Sequence, residues 1–271
     1  MKWNHRLEQW LLDAQTREHV AASSKQTGSL GYDPWGFHLD VNRVGLGLMK
    51  WVYERYYRTE AIGLEHVPTH GRVLVISNHS GFLPMDGVLI GVAMALNPNG
   101  ARLPRAMIER FFPTVPYLGN MMNGLGAVLG DVHNCRDMLL HEEAVIVFPE
   151  GARGTGKGWK NRYNLQRFGL GFMHLAMETQ TPILPVGIAG CEESFPMFGD
   201  IPSLARMMAV PYIPLGLPFL PSKVVMHFGP LMHFDNNNTS ETSVQRKVHE
   251  VRSTIEHLVQ KSRALRSVNR D

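Results

Sequence analysis

Four short runs of apolar, largely β-branched residues set the strongest limit on the fold. They are RVLVIS (72–77), AVIVF (144–148), ILPVGIAG (183–190) and KVVMHFG (223–229). Each is short for a helix, and its apolar character is too continuous for a strand wetted on one face. Strands of this kind are buried on both faces, which is the habit of parallel sheets covered by helices. Helical patterns fill the gaps, over 87–96, 134–141 and 168–178. The alternation predicts an α/β fold: a largely parallel sheet flanked by helices, preceded by an N-terminal helical segment. Residues 1–66 read as that segment and 67–271 as the α/β domain. At the far end, Val244, Val248, Val251, Ile255 and Leu258 step by four and three, which predicts an amphipathic helix over 240–266.

Composition narrows the classes. The 271 residues are 44% hydrophobic and 19% charged, enough apolar matter for a core and too much for wholesale disorder. The formal net charge of +3 is too mild to argue for nucleic-acid binding, so no nucleic-acid partner is expected. Two distant cysteines, Cys135 and Cys191, cannot build a disulfide framework or a cysteine zinc site, and suit a reducing compartment. The histidines fall in no metal-ligand spacing, so no metal is expected.

Membrane signals are indirect. Charges at Lys2, Arg6, Glu8 and Asp13 interrupt any leader-like run. The uncharged stretch 111–130 is rich in proline, glycine and asparagine, which reads as loop and not as a spanning helix. A second uncharged run, 207–222, carries four prolines and is read as buried or lipid-touching. Segment 41–58 places Val41, Val44, Leu48, Val52 and Tyr56 on one stripe, with Trp51 and several tyrosines among basic neighbours. It reads as one amphipathic helix, either packed on the core or lying in a membrane interface.

Two constellations carry chemistry. The run 72–77 ends just before Asn78 and His79, and Pro84 suits the first position of a helix that puts Asp86 in its first turn. His79 then sits at the carboxyl end of a strand, where open α/β sheets hold ligands. An imidazole oriented by a carboxylate is a general base for neutral pH. The second constellation is FPEGARGTGK (148–157), a buried strand running into a glycine-rich turn with an arginine and a lysine. Such a turn can hold a phosphate. Gly151, Gly156 and Lys157 match a nucleotide-binding P-loop, yet Gly158 stands where that motif needs a hydroxyl for magnesium.

The order of these blocks, Asn-His with Asp86, then Phe-Pro-Glu-Gly with Arg153, then a strand with central Pro185, resembles the glycerolipid acyltransferases, the group that contains lysophosphatidic acid acyltransferases. The resemblance spans about residues 60–232. The stretch 162–196 and DPWGF at 33–37 are similar to a bacterial branch with diacylglycerol-acyltransferase affinities. The resemblance implies His79 as general base and Asp86 as its partner. It implies Glu150, Gly151 and Arg153 as the acceptor-binding motif, and Pro185 as lining the cleft. It implies a fatty acyl thioester, acyl-CoA or acyl carrier protein, as co-substrate and a glycerolipid or lysophospholipid as acceptor, with no bound cofactor. It also implies a peripheral protein on the cytoplasmic face of a membrane. Three departures stand out. Six residues separate His79 and Asp86, where the family pattern has four. Asp131 stands where an arginine is usual, which favours a less charged acceptor or a role for Arg136. Ala152 replaces a common threonine. A P-loop nucleotide-binding protein using Gly151–Lys157 and a non-catalytic lipid-binding relative are the alternative readings.

Overall fold

The computed structural model describes residues 10–23, 27–79, 84–109, 118–201, 203, 214–216 and 220–268. Its centre is a seven-stranded sheet. The strands are β1 (Glu60–Ile62), β2 (Val73–Ser77), β3 (Arg105–Ile108), β4 (Ala127–Leu129), β5 (Ala144–Val147), β6 (Ile183–Ala189) and β9 (Val225–Phe228), in the order β1-β9-β6-β2-β5-β3-β4. A separate hairpin joins β7 (Met197–Asp200) to β8 (Pro214–Gly216). The five strands from β6 to β4 are parallel, and β9 runs against β6 with β1 alongside it.

The apolar runs form β2, β5, β6 and β9 because each can be covered twice. Leu74 and Ile76 of β2 enter one core with Met138, Met173 and Val251, while Val73 and Val75 enter another with Leu89, Ile90 and Met94. The flanking helices are α1 (Ala14–Ala22), α2 (Leu39–Trp51), α3 (Met85–Ala95), α4 (Leu118–Gly124), α5 (Val132–Leu140), α6 (Gly171–Glu178) and α7 (Glu241–Val268). All five apolar positions foreseen on the last helix are buried. Gly187 shows how closely α7 lies on the sheet: a Cβ there would meet the Val259 nitrogen at 2.4 Å.

Several expectations change. The stretch 1–66 is not only helical, since β1 lies within it and pairs with β9. The stretch 111–130 holds α4 and β4 and is not only loop, and residues 110–117 fall outside the description. Segment 41–58 is α2 followed by a π-helical turn, Val52–Tyr56. Its anticipated apolar stripe is partly covered: Val52 and Tyr56 pack against the core, and Leu48 is the exposed member among the five. Leu46, Gly47 and Tyr57 are buried, whereas Leu48 is 49% and Trp51 61% exposed. Gly47 lets the Leu11 side chain come so close that a Cβ would stand 2.6 Å from it. Of the run 207–222, residues 207–213 and 217–219 fall outside the described residues, and Leu215 and Leu220 are exposed. Among the described residues no helix is long and apolar enough to cross a membrane.

Pro185 sits mid-strand without breaking the sheet. Ile183 pairs with Met232 and Val186 with Phe228, so the register between β6 and the β9 end slips by one residue across Pro185. The missing N–H falls in that irregularity, and the Pro185 carbonyl still accepts from Gly229 N–H at 2.8 Å.

Candidate active site

β2, β5 and β6 deliver three segments to one edge of the sheet. After β2 the chain gives Asn78 and His79; after β5 it gives Phe148, Pro149 and Glu150; after β6 it turns at Gly190. Asn78 fixes the first exit. Its side-chain Oδ1 accepts the Ile188 N–H at 2.9 Å, and its Nδ2 donates to the Ile188 carbonyl at 3.0 Å. A side chain therefore continues the β2–β6 ladder past Ser77, the last backbone-paired residue of β2.

His79 and Asp86 meet despite their wide spacing. Pro84 is the N-cap of α3, one position earlier than the spacing suggested, and Asp86 stays in the first turn. His79 Nδ1 lies 2.6 Å from Asp86 Oδ2, with the side chains 12% and 0% exposed. Asp86 Oδ1 accepts its neighbour Gly87 N–H at 2.8 Å, which pins the carboxylate plane. With the Nδ1 proton directed at a carboxylate, Nε2 becomes the nitrogen that can accept a proton. The imidazole stacks on Phe148 at 4.3 Å between ring centres and 18° between planes.

Glu150 is wholly buried and faces the chain. Its Oε1 accepts the His79 N–H at 2.9 Å, and its Oε2 accepts the Gln166 N–H at 2.7 Å. Lys157 pairs with Oε2 at 2.7 Å and donates to the His79 carbonyl at 3.1 Å. Both carboxylate oxygens are thus engaged by the protein's own donors. Gly151 takes a left-handed φ of +57°, and the turn it opens brings Gly154 beneath the histidine. A Cβ at Gly154 would stand 2.6 Å from His79 Cβ and 2.9 Å from Glu150 Cβ, so only glycine fits. Arg153, on the helical turn Ala152–Thr155, is exposed beside this contact.

The residues read from the sequence therefore divide. His79, Asp86, Glu150 and Gly151 come together, with Arg153 at the rim. Pro185 lies within β6 and is buried in the sheet. Arg136 pairs with Glu178 at 2.5 Å on the surface, and Asp131 caps α5 by accepting the His133 N–H at 2.8 Å. Lys157 is turned inward to Glu150, and the helical turn inside the motif has four residues, an arrangement unlike a phosphate-holding P-loop. Asn78, Phe148 and Gly154 were given no role of their own by the sequence reading, and Lys157 was read only as a group facing a phosphate. An asparagine immediately after a buried strand was the available signal for Asn78.

Other reactive groups are accounted for. Cys135 and Cys191 are buried without a disulfide, and burial pushes the Cys135 thiol up to about 12. Among the described residues no group of three or more His, Cys, Asp or Glu side chains is arranged to hold a metal ion. DPWGF ties the N-terminal segment to the sheet. Asp33 accepts the Trp35 and Phe37 N–H groups at 2.9 Å each and pairs with Arg105 of β3, whose guanidinium lies 4.5 Å from the Phe37 ring centre.

Comparison with known proteins bears on the family and the fold. The Acyltransferase family model matches residues 58–189, a span from just before β1 to the end of β6. An uncharacterized protein of Mycobacterium tuberculosis is 34% identical over 230 residues, covering 80% of this chain and 64% of the relative. The chain thus spans about two thirds of that relative's length. A human protein described as a DGAT1/2-independent enzyme synthesizing storage lipids is 22% identical over 200 residues, 73% of this chain and 60% of the relative. In fold, the chain is similar to the 1-acyl-sn-glycerophosphate (LPA) acyltransferase PlsC of Thermotoga maritima. The TM-score is 0.55 at 17% identity, over 83% of this chain and 81% of that one.

Proposed function

We propose that this chain, whose residues 58–189 match the Acyltransferase family model, moves a fatty acyl group from a thioester to the hydroxyl of a glycerolipid or lysophospholipid. The observation that carries the reading is the buried His79–Asp86 pair, 2.6 Å apart at the carboxyl end of a central strand. The acceptor oxygen attacks the thioester carbonyl as His79 Nε2 takes its proton. Asp86 holds the ring and stabilises the imidazolium. Collapse of the tetrahedral intermediate expels the thiolate, which takes the proton back and leaves as the thiol of coenzyme A or acyl carrier protein. A thiol of pKa about 8.5 leaves readily, so the reaction needs no covalent acyl-enzyme. Backbone N–H groups of the 79–87 loop are the expected oxyanion donors, and residues 80–83 of that loop lie outside the described residues. Exposed Arg153 is the group in reach of a phosphorylated or polar head, and Glu150 and Gly151 act behind it by shaping the turn.

The test is release of free thiol from acyl-CoA and from acyl carrier protein, with lysophosphatidate, monoacylglycerol and diacylglycerol offered as acceptors. Wild-type protein is expected to release thiol with at least one acceptor, and His79→Ala to lose that release. Equal rates with and without His79 would overturn the mechanism.

Peripheral attachment at the cytoplasmic face completes the proposal. Leu48 and Trp51 stand on the outer stripe of α2, and the exposed Arg55 and Arg58 follow. Aromatic and leucine side chains beside arginines suit an anionic interface. Flotation with anionic vesicles at low salt is expected to carry wild-type protein, and Leu48→Ser/Trp51→Ser to remain behind.

A further inference from the structure

We propose that Lys157 is a positioning residue for the base: with Glu150 it clamps both peptide groups of His79, so that the imidazole meets the acceptor hydroxyl in one orientation. The inference rests on the reading of His79 as the general base. Its starting point is that His79 has left the sheet. Ser77 is the last residue of β2 with a backbone partner on β6, and Asn78 extends the ladder only through its side chain. The N–H and C=O of His79 therefore need other partners, as buried backbone groups do. Glu150 Oε1 takes the N–H at 2.9 Å and Lys157 Nζ reaches the C=O at 3.1 Å. The two clamping side chains are joined to each other at 2.7 Å, and their exposures are 4% for Lys157 and 0% for Glu150. A lysine is rarely buried without such a partner. The ammonium spends two of its three donors inside the protein, which leaves it unsuited to a substrate phosphate despite its place in a glycine-rich turn.

The ring has its own restraints. Asp86 fixes Nδ1, Phe148 fixes the plane, and Gly154 admits the Cβ. The clamp sets where that whole assembly hangs. A misplacement of about 1 Å at a reacting group costs about a hundredfold in rate.

The alternative role for Lys157 is simple neutralisation of a buried carboxylate. Lys157→Met alone leaves that carboxylate unpaired and risks the fold. The informative comparison is therefore Glu150→Gln against Glu150→Gln/Lys157→Met. Neither carries a charge on Glu150, and in both the glutamine oxygen can accept the His79 N–H only with its NH2 turned to the Gln166 N–H, a cost the two variants share. The step between them removes the ammonium's hold on the His79 carbonyl and also relieves an ammonium left without its carboxylate, a gain in stability that the melt reads separately from kcat. The measurements are thermal melting, kcat and KM in the thiol-release assay, and the far-downfield proton resonance of His79 Nδ1–H. We expect the double variant to melt cooperatively and keep both KM values within about threefold of the single variant. We expect its kcat to fall by a further factor of about ten or more, with the downfield proton lost or broadened. Equal kcat and an equally sharp proton in the two variants would overturn the positioning role. The resonance needs no turnover, so wild-type protein that shows it but transfers no acyl group would refute the proposed reaction and leave the clamp to be judged on the resonance alone.

Discussion

Replacing Asp86 by asparagine changes one buried oxygen for an NH2 group and leaves volume and shape almost untouched. The structure dictates which atom goes where. Asp86 Oδ1 already accepts the Gly87 N–H at 2.8 Å, so the amide oxygen of the substitute stays there. The NH2 group then faces His79 Nδ1 at the place where Oδ2 stood, 2.6 Å away. Two donors cannot share that contact. The imidazole must move its proton to Nε2, and a protonated Nε2 cannot take one from an alcohol. General-base catalysis contributes about 10²- to 10⁴-fold, and an Asp→Asn exchange behind the histidine of a serine protease costs about 10⁴. At about 1.4 kcal/mol per factor of ten, the expected loss in kcat/KM is about 3 to 5 kcal/mol. Thiol release followed under first-order conditions measures it, beside a thermal melt that shows the fold intact. A folded Asp86→Asn protein within threefold of wild type would refute the assignment of His79 as base.

Three further outcomes follow from the structure. Gly154→Ala inserts a methyl 2.6 Å from His79 Cβ, and is expected to lower kcat/KM by about 10- to 100-fold; wild-type rates would show that the turn yields freely. Asp33→Ala removes one carboxylate partner of buried Arg105 and leaves it Glu143 at 3.3 Å and the Phe37 ring. Breaking a buried pair costs about 3–5 kcal/mol, and with Glu143 still present chemical denaturation should show a loss towards the lower figure. Glu192 is raised from 4.5 to about 8, first by burial and then by the charge of Glu193. The folded state holds that proton while the unfolded chain releases it, so stability should fall as pH rises from about 4.5 to about 8. Glu192→Gln should flatten the decline in melting temperature across that window, and an unchanged slope would assign it to other groups.

What the sequence made legible was whatever is local. A buried strand announces itself in four or five consecutive apolar residues, and β2, β5, β6 and β9 were read that way. β3 hid behind Arg105, a charge that belongs inside because Asp33, 72 residues earlier, meets it there. β1 and β4 are three residues long, below the length at which alternation can be distinguished from chance. The stripe over 41–58 was legible apart from exposed Leu48, whereas the close approach of Leu11 at Gly47 leaves no mark in a hydrophobic pattern. In the site, His79 and Asp86 were legible because a strand end and a helix start lie within one short span. Glu150 and Lys157 were visible as a charged turn, but their direction was not. Whether such charges face a ligand or a neighbouring peptide depends on a loop 71 to 78 residues away. Pro185 was placed in the right strand, and its register slip could come only from the β9 side.

The asparagine staple on Ile188 ties the imidazole to the other end of the molecule. Ile188 follows Gly187, and the final helix rests directly on Gly187 through its Val259 backbone. Two adjacent strand residues are thus gripped, Gly187 by the carboxyl-terminal helix and Ile188 by the neighbour of the base. The peptide between them is therefore touched both by the carboxyl-terminal helix and, through Asn78, by the loop that carries the base.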